Sequence, residues 1–109
     1  MFLKKESGKC KAIITPFAVY LNENDNYVEP DMMVVCDKDK LDENGCHGAP
    51  DLIIEVVSPG SVRMDYSIKL FKYRSFGVRE YWIVDPAKNR ITVHDLEHEE
   101  TLALGSVIC

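Results

Sequence analysis

The sequence predicts an α/β domain, a mixed β-sheet with a helix packed on one face, in the order β-β-β-α-β-β. Three observations carry this. Residues 51–57 open on Asp51, run through five aliphatic residues interrupted by a single carboxylate, Glu55, and read as a buried strand. A break at Ser58-Pro59-Gly60 is followed by Met64, Ile68 and Phe71 at helical spacing. Residues 80–85 (EYWIVD) are apolar on both alternating faces, as a central strand would be. A helix between two strands permits a crossover to a parallel neighbour, whereas the hairpins must be antiparallel.

The elements follow in order. After a polar, basic start, residues 10–21 are rich in β-branched and aromatic side chains and read as one strand, bent or at an edge because of Pro16. Residues 22–26 are a turn of Asn, Asp and Glu, and residues 32–36 (MMVVC) form the second strand. Residues 37–48 are charged, contain two glycines and read as an exposed loop. In the third strand Asp51, Ile53, Glu55 and Val57 share one face. Leu52, Ile54 and Val56 share the other, an apolar face expected to lie under a helix layer. Ser61 is the expected helix cap and Gly77 the stop, with Met64, Ile68 and Phe71 as the buried stripe. Asp65, Lys69 and Tyr73 stand one turn apart on an adjacent helix face. Residues 86–89 turn the chain into a hairpin partner at 90–95. Residues 94–100 are acidic and exposed, and 102–108 read as a short last strand.

The bulk properties limit function. A chain of 109 residues, 46% hydrophobic and 28% charged, suits one globular domain spanning 1–109. No apolar run is long enough to span a membrane and the start lacks a signal-peptide core, so a cytoplasmic location with no membrane partner is expected. The four cysteines show no CxxC pairing and read as free thiols. A net charge of −5 excludes a protein that coats nucleic acid by charge alone. It leaves open an enzyme that grips phosphates locally, because bound cations offset acids at a site.

The chemistry gathers around Glu55. A lone acid in an apolar strand is costly to bury unless it is paired or binds a metal. If the second and third strands are neighbours, Asp31 and Glu55 meet at one end of the sheet, where two carboxylates share a proton or bind a cation. Oxygen ligands alone favour Mg²⁺, Mn²⁺ or Ca²⁺ over zinc. Lys69, on the helix that leaves this strand, could then orient water or stabilise a pentavalent phosphate, equipment for phosphodiester hydrolysis. Each residue also has a purely structural reading. Asp31 and Asp51 both follow proline and could cap strand ends. Glu55 could pair with Arg63 or Lys69, and Asp65 with Lys69 could be an ordinary helix pair.

Pro30-Asp31, the run from Gly48 through Pro50-Asp51 and Glu55 to Ser58-Pro59, Asp65, Lys69, Tyr73, Gly77-Val78 and the run from Glu80 to Pro86 follow one another in a specific order and spacing. Together they resemble the Uma-two family of restriction-endonuclease-like proteins, in the PD-(D/E)XK nuclease superfamily. The resemblance covers about Val28 to Asp95. It implies a restriction-endonuclease-like core and cleavage of DNA dependent on Mg²⁺ or Mn²⁺. Asp31 and Glu55 match the acids of the first two motifs. The superfamily's lysine would fall at Val57, and Lys69 matches the helix lysine that substitutes for it. Asp51, Asp65 and Tyr73 match recurring supporting positions, and the Val56 carbonyl is expected to join Asp31 and Glu55 as a metal ligand. Family members carry a longer N-terminal part with a helix, so this chain reads as a truncated copy, with exposed apolar surface favouring a homodimer. Lys69, Lys72, Arg74 and Arg79 are the candidate phosphate contacts. The rival reading is an inactive nuclease fold serving as a structural or interaction module. A third, calcium bound only for stability, lacks the loop ligands of an EF-hand.

Overall fold

The computed structural model describes residues 10–14, 18–21, 27–58 and 67–104. Its main sheet has six strands: β1 (Lys11–Ile14), β4 (Met32–Val35), β7 (Leu52–Val56), β8 (Glu80–Asp85), β9 (Arg90–Asp95) and β10 (Glu100–Leu104), in that spatial order. Only β7 and β8 run parallel in this sheet, and the helix α1 (Lys69–Ser75) lies in the connection between them. This is the predicted mixed sheet with a helix on one face. The central strands form where the apolar runs are longest, and Leu52, Ile53, Tyr81 and Ile83 are wholly buried.

The helix covers the face that carries Glu55, not the Leu52, Ile54 and Val56 face for which a helix layer was expected. Tyr73 of α1 packs in one core with Met33, Val35, Ile53, Val57, Tyr81 and Ile83. On the opposite face Val34 and Leu52 are buried, but Ile54 and Trp82 are only partly covered and Val56 is 52% exposed. The predicted helix stripe is also displaced. Ile68 and Phe71 are 53% and 73% exposed, Tyr73 is fully buried, and Leu70 and Phe76 pack beside it. The helix is thus rolled so that Lys69 and Tyr73 face the sheet, because the acid at Glu55 rewards a polar flank there. Gly77, at φ 89°, ends the helix where the Val78 N–H donates to the Tyr73 carbonyl at 3.1 Å. Ser61, Met64 and Asp65 lie outside the described residues.

Two other expectations are corrected. Residues 10–21 do not form one strand: β1 belongs to the main sheet, whereas β2 (Val19–Tyr20) belongs to a second sheet. That sheet has the order β3 (Tyr27–Val28), β2, β6 (Gly45–His47), β5 (Leu41–Asp42). Nor is the stretch 37–48 a loop. A single 3-10 turn, Lys38–Lys40, leads into the β5–β6 hairpin. Asp42 Oδ1 builds the hairpin turn by accepting from the Asn44 and Gly45 N–H groups at 2.7 and 3.1 Å. Gly45 has φ 151° and lies against β2, where a Cβ would run into the Ala18 carbonyl oxygen. The charged side chains of this stretch point outward while Cys46 is wholly buried against Val19 and Leu21. Both sheets therefore contribute to one core.

Cys10 and Cys36 are joined by a disulfide, contrary to the free thiols expected. The antiparallel register that sets Lys11 opposite Val35 brings these two cysteines together, with Cα atoms 4.0 Å apart. Cys46 is a free thiol whose pKa is pushed up to about 11 by burial. No helix among the described residues is long and apolar enough to cross a membrane.

Candidate active site

Proline places both acids. Pro30 and Pro50 are fully buried and precede Asp31 and Asp51 at the entrances of β4 and β7. The antiparallel register pairs Met32 with Ile54, so one further step sets Asp31 opposite Glu55, on the same face of the sheet. Asp31 Oδ2 accepts a hydrogen bond from the Val56 N–H at 2.7 Å, which ties the start of β4 to the end of β7. The register and this bond set Asp31 and Glu55 at the same end of β4 and β7.

Glu55 is buried, its side chain only 6% exposed. Its Oε2 accepts from Lys69 Nζ at 2.9 Å and from the Tyr73 hydroxyl at 2.8 Å. The donors stand four residues apart on α1, so one helix face supplies both. Tyr73 is held in turn by its edge-on contact with Tyr81, ring centres 4.8 Å apart at 78°. Among the described residues Glu55 pairs with Lys69, as one structural alternative foresaw, and Arg63 and Asp65 lie outside them. The lysine keeps 29% of its side chain exposed, so the pair has a dry side at Glu55 and a wet side at Lys69.

Asp51 lies at the other end of β7. Its Oδ2 accepts from the Cys36 N–H at 2.7 Å, and its Oδ1 meets Arg79 Nη1 at 3.3 Å. Arg79 also bonds Glu97 at 3.0 Å, so it stands away from Glu55 and is engaged by acids. Lys72 and Arg74 remain on α1, partly buried and exposed respectively. Asp65 lies outside the described residues.

One acid was not foreseen. Asp85 ends β8 with 2% exposure, and the register of Glu55 with Ile83 puts it on the same face and at the same end as Glu55. Its Oδ1 accepts from the Lys88 N–H at 3.2 Å and so shapes the turn into β9. The available signal was an acid closing an apolar strand just before Pro86. Among the described residues no group of three or more His, Cys, Asp or Glu side chains gathers for a metal ion, so any cation here would rest on the Asp31 and Glu55 pair with backbone oxygen.

Comparisons with known proteins show the family and the fold. The model of the Uma2 family, "Putative restriction endonuclease", matches residues 2–107. A crystal structure from Anabaena variabilis, described as "a putative nuclease belonging to DUF820", is similar with a TM-score of 0.69 at 21% identity. The match covers 96% of this chain and 60% of that one, so the chain spans about three fifths of that protein's length. No curated protein matches.

Proposed function

The chain belongs to the Uma2 family, and on that premise we propose that it hydrolyses phosphodiester bonds in DNA with a divalent cation, Mg²⁺ or Mn²⁺. The observation that carries the reading is the convergence of Asp31, Glu55 and Lys69 at the same end of β4 and β7. The donor set fits such a cation: two carboxylates and the carbonyl of Val56 are all hard oxygen ligands. An extended residue presents its N–H and C=O on one edge, and the Val56 N–H already meets Asp31. When bound, the cation would supply charge stabilisation at the phosphate and a more acidic water.

The protein's own side chains have separate tasks in this reading. Asp31 fixes the end of β7 through Val56, Tyr73 holds the Glu55 carboxylate in orientation, and the Lys69 ammonium faces the negative charge that develops on phosphate oxygens. Lys72 and Arg74 offer further phosphate contacts along α1. A single domain over residues 1–109 and a homodimer through the exposed Ile68 and Phe71 belong to the same reading. So does a cytoplasmic setting, against which the Cys10–Cys36 disulfide stands, since that compartment keeps thiols reduced.

The second reading, a structural or interaction module, is favoured by the way both acids are satisfied within the chain, Asp31 by Val56 and Glu55 by Lys69 and Tyr73. Calorimetric Mn²⁺ titration and plasmid nicking, each on the parent and on Glu55→Gln, decide between them. Binding and nicking that both vanish in the variant support the nuclease. A parent that neither binds nor nicks leaves the module.

A further inference from the structure

We infer that Lys69 is the site's built-in counter-cation: it occupies the place at Glu55 that a divalent cation would take, and must leave that carboxylate for the cation to enter. The inference rests on the nuclease reading and concerns how the site is switched. A buried carboxylate needs a positive partner, and Lys69 supplies it at 2.9 Å from Oε2. An ammonium and a divalent ion cannot share one carboxylate oxygen without strong mutual repulsion, so they compete. The lysine is the partner able to move. Its side chain is 29% exposed against 6% for Glu55, so the ammonium can turn to water while its stem stays in place on α1.

The remaining geometry keeps the carboxylate in place after that exchange. Tyr73 donates to the same Oε2 at 2.8 Å, is fully buried, and is locked edge-on against Tyr81. Glu55 is therefore held by a neutral donor that has no reason to leave, and by a charged donor that has. The consequence is an order of events. While Lys69 neutralises Glu55 its ammonium is unavailable to a phosphate; once displaced, it stays tethered within a side chain's length of the site. Tyr73 is a positioning residue here, and Lys69 is delivered to the substrate only when the carboxylates are otherwise occupied.

A permanent structural ion pair and a displaceable counter-cation predict opposite effects of removing the lysine. Manganese calorimetry at neutral pH would compare the parent with Lys69→Met and Lys69→Arg. The counter-cation predicts that Lys69→Met binds Mn²⁺ about tenfold more tightly, while Lys69→Arg stays near the parent. Lys69→Met binding no tighter than a parent that does bind overturns this inference and leaves the nuclease reading standing. Binding by Lys69→Met alone would make the pair permanent in the parent and overturn the exchange, and no binding by either protein sinks both readings. The parent itself gives a check that needs no variant to fold. The lysine Nζ signal in ¹⁵N NMR, assigned through Lys69→Arg, should shift when Mg²⁺ is added. Mg²⁺ binding that leaves that signal unmoved rejects the exchange.

Discussion

The two ends of β7 each carry a carboxylate on the same face of one strand, about 13 Å apart, and the molecule uses them in opposite ways. Asp51 is fastened to a backbone N–H and to a guanidinium that is itself bonded to Glu97. These contacts stitch β4, β7 and the approach to β8 together. Glu55 is held by a tyrosine hydroxyl and a half-exposed lysine, beside a second acid, Asp31, at the carboxyl end of the two parallel strands. The first arrangement leaves nothing to exchange. The second contains a charge that can be replaced, and that is what separates a candidate active site from a structural ion pair of the same residue types.

The largest expected effect comes from breaking each end in turn. Asp51→Ala strands the Cys36 N–H and takes from Arg79 one of its two acid partners, and should cost about 2 kcal/mol in urea unfolding, without weakening Mn²⁺ binding by the folded fraction. Glu55→Gln keeps an acceptor for Tyr73 and releases Lys69 to water. It should cost less stability than Asp51→Ala, because the side chain left at position 55 is neutral and still accepts from Tyr73, while abolishing Mn²⁺ binding. If instead Glu55→Gln is the more destabilising of the two, the division between the ends is wrong.

The same contrast explains how much could be read in advance. The strands β7 and β8 were legible because burial on both faces leaves continuous apolar runs, and Glu55 was legible because it interrupts one. Asp31 was recoverable from its position after a proline at a strand entrance. What failed was whatever depended on a partner distant in sequence. The spacing of Met64, Ile68 and Phe71 marks an apolar helix face, but only the buried Glu55 explains why the Lys69–Tyr73 flank turns inward. The β5–β6 hairpin hid behind its charged outward side chains; its signal was Gly45, which sits where any side chain would meet Ala18. Cys10 and Cys36 become neighbours only through the β1–β4 register.

Tyr73 sharpens the comparison at intermediate size. Tyr73→Phe removes one buried hydrogen bond to Glu55 and keeps the ring against Tyr81, so stability should fall by about 1 kcal/mol. No equivalent exists at Asp51, where the donors are a backbone amide and an arginine. Because Tyr73 orients the carboxylate, the variant should also bind Mn²⁺ more weakly than the parent. An unchanged affinity in calorimetry would mean that Tyr73 does not set the geometry of the bound carboxylate.

The smallest effect lies further along the same aromatic column, beyond Tyr81, whose ring stacks on His94 at 6.2 Å between centres. His94 is buried in β9, its Nδ1 is 3.0 Å from the Thr101 hydroxyl, and its Nε2 has no hydrogen-bond partner among the described residues. Burial first, and the charge of Arg74 second, hold its pKa below the ordinary 6.5. An imidazolium would need an acceptor at both nitrogens and finds none at Nε2. The unfolded chain therefore takes up this proton more readily than the folded one, and stability should decline as pH falls below 6.5 toward the lowered folded value. His98 works in the other direction, because its hydrogen bond to Asp95 raises its pKa and adds stability as pH falls. The His94 contribution is accordingly read as a difference between the parent and His94→Gln, both of which retain His98. The urea midpoint at pH 5.5, relative to that at pH 7.5, should be higher in the variant than in the parent. An equal difference in both proteins would show that the core behind Tyr73 and Tyr81 is insensitive to protons over this range.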